Sequence, residues 1–132
     1  MFFAGANRYW CNDTLQLSPY ADDGILRSAE IATLNLADCS LVVLSACETG
    51  LGYSNSSEGV YGLQRAFKLA GAKQILMSLW AVDDRATDML MTGFYQGLLR
   101  GEDADEALLK SKAHLRKMYP SPEDWGAFVL LH

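Results

Sequence analysis

The stretch from Leu41 to Gly52, LVVLSACETGLG, constrains the fold more than any other part of the chain. Leu41-Val42-Val43-Leu44 is a short apolar run that passes directly into Ser45-Ala46-Cys47-Glu48-Thr49-Gly50. Its shortness, its β-branched residues and the glycines after it predict a buried strand of a parallel sheet, not a helix. A Gly-punctuated loop, Glu48 to Gly59, follows, and then an amphipathic helix. In open α/β sheets, ligands bind outside the carboxyl ends of the strands. Cys47 falls at that end, near a helix N-terminus, where the dipole and free backbone N–H groups favour a thiolate. Two readings of Cys47 stay open on this pattern: a nucleophile, or a buried and inert thiol.

The rest of the chain alternates between strand and helix signals. Asn12 to Gly24 reads as a surface loop. Ser28 is placed to cap a short helix, Ala29 to Leu34. Glu58 to Ala70 is the strongest helix signal, with Val60, Leu63, Ala66, Phe67 and Ala70 on one face, Ser57 as N-cap and Gly71 as the stop. Gln74 to Trp80 reads as a strand. Asp83 caps a helix over Asp84 to Leu99, with Met89, Leu90, Phe94 and Leu98 as its buried stripe. Asp103 opens a second helix, Ala104 to Met118. Pro120-Ser121-Pro122 breaks the pattern, and Trp125 to Leu131 reads as the last strand. This order predicts an α/β fold with a mainly parallel sheet and right-handed crossovers.

A chain of 132 residues, half of them hydrophobic and 20% charged, is expected to form one domain with a packed core. The net charge of −5 and the lack of a basic cluster argue against a nucleic-acid partner. No apolar stretch approaches the roughly 18 residues that suggest a membrane span. The three cysteines, Cys11, Cys39 and Cys47, lack the spacing of a disulfide framework or a zinc site. A reducing cytoplasm is the expected setting, and no metal or organic cofactor is indicated.

SACETGLG, followed by EGVYGLQRAFKLAGAKQILMSLWAVDD and a closing WGAFVLL, resembles the CHAT domain. That family is a group of caspase-like cysteine peptidases, often joined to tetratricopeptide repeats in bacteria. The resemblance runs from about Phe2 to Leu131. It implies a caspase-like three-layer sandwich with a Cys–His dyad, and it places Cys47 at the nucleophile position. Peptidase chemistry also needs oxyanion donors and a pocket. The loop N–H groups around Cys47, Glu48, Thr49 and Gly50 are the candidate donors, although Gly50 and Gly52 equally suit a tight turn. Glu58-Gly59 either orients this loop or simply suits a first helical turn. Trp80, Asp83 and Asp84 are the candidate pocket lip, with a packed Trp80 and a helix cap at Asp83 as the structural alternative.

The family's dyad histidine lies in a His-Gly segment after an upstream strand, and this chain contains no such segment. His114 falls toward the polar side of its helix, about 100° from Leu115. His132 is terminal, a poor place for a general base that needs fixed geometry. The expectation is therefore a single, partial CHAT-like domain over residues 1–132, inactive alone. Its partners would be a protein or peptide substrate and an upstream segment or partner chain covering the Leu41–Ala46 edge. The alternatives are a non-catalytic interaction module on the same scaffold and a truncated gene product.

Overall fold

The computed structural model describes residues 24–44 and 58–132. The expected helix tail over Phe2–Asn7, the loop leading to Gly24, positions 45–46 of the first strand, the Cys47 loop and the Ser57 cap lie outside the described residues. In order, the elements are α1 (Ser28–Ile31), β1 (Leu41–Leu44), α2 (Glu58–Leu69) and β2 (Gln74–Ser78). They are followed by α3 (Asp84–Leu99), α4 (Ala104–Met118), α5 (Pro122–Trp125) and β3 (Phe128–Leu131).

The described strands form one sheet in the order β1-β2-β3. β1 and β2 are parallel, with Leu41 opposite Gln74 and Leu44 opposite Met77. β3 is antiparallel to β2, with Ser78 opposite Phe128 and Ile75 opposite Leu131. The sheet is therefore mixed, which corrects the expectation of a mainly parallel one. The reason is the number of helical passes. Between β1 and β2 the long helix α2 returns the chain to the edge where β1 began, so β2 repeats β1's direction. Between β2 and β3, α3 and α4 make two passes and bring the chain back to the edge it had just left.

Both faces of the sheet are covered. Side chains alternate along β2 with the period of a strand. Ile75 and Met77 join Ile31, Leu44, Ala66 and Phe67 in one buried cluster. Leu76 joins Ala86, Leu90, Phe94, Leu115 and Phe128 in the other. A central strand buried on both sides reads as a continuous apolar run, which is how Ile75-Leu76-Met77 stands in the sequence.

The α3–α4 hairpin shifts the expected stripe. Leu90 and Phe94 are buried as expected, but Ala86 and Gly97 complete the buried face while Met89 and Leu98 flank it. The small residues decide this. A Cβ on Gly97 would stand 2.7 Å from Ala107 Cβ, and one on Gly93 would stand 3.0 Å from Ser111 Oγ. These gaps let α4 approach α3 closely. On α4 the buried face runs through Ala104, Ala107, Leu108, Ser111 and Leu115, whereas Met118 is half exposed. Glu102, in the turn, pairs with Arg100 and Lys110, each at 3.2 Å. The hydrogen bond from Lys110 is the main cause that holds its carboxyl below the ordinary value.

Several boundaries differ from expectation. α1 starts one residue early, at Ser28, with Arg27 as its N-cap residue, and ends at Ile31. The Glu30 carboxylate accepts from the Arg27 N–H at 2.7 Å, which removes the need for a Ser28 cap. Trp125 is helical rather than extended, because Ser121 caps a turn that Pro122 starts. β2 ends at Ser78, before Trp80. Gly71 is the expected stop. Its φ of 102° lies in the left-handed region, which carries little penalty only for glycine.

Candidate functional site

The parallel register places the carboxyl ends of β1 and β2 at one edge of the sheet. The chain leaves β1 after Leu44 toward the segment that carries Cys47. It leaves β2 after Ser78 toward Trp80, Asp83 and Asp84. Cys47, Glu48, Thr49 and Gly50 lie outside the described residues, so the edge is defined by its β2 side.

That side is firmly built. The Leu79 N–H donates to Ala127 O at 2.9 Å, which extends the pairing with the β3 side by one step. The Trp80 indole N–H donates to Glu123 O at 2.8 Å. Trp80 is half-buried and packs against the core cluster shared with α3 and α4. Its bond to the backbone of α5 fixes the ring and brings α5 to the same edge. Sequence alone did not reveal this pairing, since 43 positions separate the partners.

Asp83 caps α3. Its Oδ1 accepts from the N–H groups of Arg85 at 3.0 Å and Ala86 at 3.2 Å. Asp84 is exposed in the first turn, where a carboxylate is favoured by the helix dipole. The cap anticipated for Asp83 is thus present, at the edge where the pocket lip was expected. Asp83→Ala should lower the unfolding free energy by about 1 kcal/mol, and Asp83→Asn should keep most of it. Thermal unfolding of the two variants checks this, and equal losses would show that the cap bonds carry no stability.

The histidines fall elsewhere. His114 is exposed on α4. His132 follows β3, which runs away from the candidate edge because it is antiparallel. Gln74 Nε2 lies 3.3 Å from His132 Nδ1, and His132 Nε2 lies 3.2 Å from Asp105 Oδ1. Gln74 stands opposite Leu41, at the amino end of β1. The reversal of β3 thus sends His132 to the end of the sheet opposite the candidate edge.

Two further polar groups were not anticipated. The hydroxyls of Ser78 and Thr87 are buried without a hydrogen-bond partner among the described residues. The signal available for Ser78 was a lone hydroxyl directly after the apolar Ile75-Leu76-Met77. Among the described residues, no group of His, Cys, Asp and Glu could hold a metal ion, and no helix is long and apolar enough to cross a membrane.

The model of a family described as "CHAT domain" matches residues 5–132. Tetratricopeptide repeat protein 28 of Homo sapiens is 35% identical over 118 residues, which cover 86% of this chain and 5% of that protein. Its counterpart in Mus musculus is 33% identical over 109 residues, covering 81% and 4% respectively. The chain thus spans about a twentieth of the length of these curated relatives. No solved structure matches it.

Proposed function

The chain belongs to the CHAT domain family, and from that premise we propose that it is the Cys-bearing part of a CHAT-type cysteine endopeptidase domain. Cys47 is the nucleophile. The observation that carries this reading is the parallel β1–β2 pair, which sends both outgoing segments from one edge of the sheet. Trp80, Asp83 and Asp84 form the lip of the substrate pocket. The N–H groups around Glu48, Thr49 and Gly50 stabilise the oxyanion. The surrounding architecture is a caspase-like three-layer sandwich, a reading supported by helices on both faces of the sheet.

The chemistry requires more than a thiolate. The sulfur attacks the scissile carbonyl, and an acid must protonate the departing amine before water can release the thioester. His114 and His132 are both poorly placed for this. The base therefore comes from a His-bearing segment outside these residues, held against β1, which has no second strand partner among the described residues. A reducing, cytoplasmic setting suits a free nucleophilic thiol. A labelled activity-based probe for cysteine peptidases tests the reading. It should react with Cys47 strongly when the chain is joined to the His-bearing segment of a CHAT domain, and weakly without it. No reaction at Cys47 in either form would overturn the proposal.

A further inference from the structure

α4 lies along β3 and runs in the opposite direction. Asp105, in its first turn, meets His132, the residue after β3, at 3.2 Å. Arg116, in its last turn, stands 5.8 Å from the centre of the Trp125 ring, just before β3. Asp105, Leu109, Lys112 and Arg116 follow one another at helical spacing and so share one flank of α4. Ala107 and Ser111, which meet α3 at Gly97 and Gly93, lie on the opposite flank. The flank turned away from α3 therefore forms a shelf beside β3. β3 is the outermost described strand, on the side of β2 away from β1. Its outer edge has no strand partner among the described residues. The Leu79 N–H donates to Ala127 O, which sets the phase of the ladder. Ala127, Val129 and Leu131 thus bond to β2, and the N–H and C=O groups of Phe128 and Leu130 point to the open edge.

We propose that this edge and shelf take up an extended, acidic segment of a partner protein, which adds to the sheet as a strand beside β3 and sets a carboxylate against Lys112. Two features of the shelf select such a segment. Leu109 is 69% exposed, an apolar side chain with little covering it. Lys112 is half-buried, and burial pushes its ammonium below the ordinary lysine value with no carboxylate among the described residues to oppose the shift. Asp105, the carboxylate on the same flank, is taken up by His132. In strand addition, main-chain bonds supply affinity and alternate side chains supply specificity. The side chains of the added strand that point toward α4 meet Leu109 and Lys112. A nucleic acid lacks the N–H and C=O ladder that this edge pairs with. A second copy of the chain carries the same net charge of −5, and pairing β3 with itself about a two-fold axis sets the same flank, Lys112 included, against itself.

The probe is a fluorescent peptide of alternating valine and glutamate, about eight residues long, enough to span a strand. One control peptide carries glutamine for glutamate, and another carries N-methylated backbone amides. Anisotropy titrations with the full chain should show the acidic peptide binding at least about tenfold more tightly than either control, the scale of a lost charge-assisted or main-chain bond. Amide hydrogen exchange should show the N–H groups of Phe128 and Leu130 becoming protected when the peptide binds. Lys112→Glu should weaken binding by about tenfold or more, and Lys112→Arg should keep it within about threefold. Circular dichroism checks that both variants keep the fold. Absence of binding overturns the proposal, as does equal binding of the N-methylated peptide or an unchanged affinity in Lys112→Glu. Protection of Phe128 and Leu130 that grows with chain concentration in the absence of peptide also overturns it, because the occupant is then a second copy.

Discussion

Peptide turnover by the chain joined to its His-bearing segment should fall by at least about a thousandfold in Cys47→Ala, since losing a nucleophile from a dyad or triad removes most of its catalysis. The isolated chain should show a modifiable thiol and little turnover. Helix-dipole stabilisation lowers a thiol pKa, but a helix N-terminus has no proton to give a leaving amine. Iodoacetamide should modify Cys47 faster than Cys39, which is partly buried and bonded to Leu41 O. His114→Ala and His132→Ala should leave the turnover of the joined form within about twofold, because neither touches the reacting atoms. The measurement is cleavage of a fluorogenic peptide by the joined form, its three variants and the isolated chain. Strong cleavage by the isolated chain that survives mutation of both histidines would refute the proposed division of labour.

Phe94→Ala should lower the unfolding free energy by about 3–5 kcal/mol, a large share of the roughly 5–15 kcal/mol that holds a small domain together. Phe94 is fully buried and belongs to the cluster that joins the sheet to α3 and α4. It also meets Tyr95 edge-on, with ring centroids 5.5 Å apart. The close helix contact at Gly97 and Ala107 limits how far α4 can move to fill the cavity. Leu99→Ala is the control: Leu99 is 88% exposed on the same helix, so its loss should change stability by no more than about 0.5 kcal/mol. Urea unfolding followed by circular dichroism compares the two. A loss below about 1 kcal/mol at Phe94 would mean that the cluster does not hold the fold.

The elements themselves were written locally. Leu41–Leu44 and Ile75-Leu76-Met77 are apolar runs bounded by polar or turn residues, and both lie in strands. Asp83 and Asp103 stand one residue before their helices and accept N–H bonds there, because a cap needs only its own neighbours. Gly71 stops its helix for an equally local reason, a φ that other residues resist. The family was legible too, in motifs that span most of the chain.

What only the tertiary structure decided involves residues distant in sequence. The direction of β3 follows from how α3 and α4 fold onto each other, and the gaps that permit this, at Gly93 and Gly97, carry no apolar signal. That reversal moves His132 across the sheet from the candidate edge. The bond from Trp80 to Glu123 and the isolation of the Ser78 hydroxyl depend in the same way on which elements meet. Periodicity reports which face of an element is apolar, because burial is a property of each residue's solvation. It does not report the partner of that face, because partners are chosen by shape and by the number of times the chain crosses the sheet.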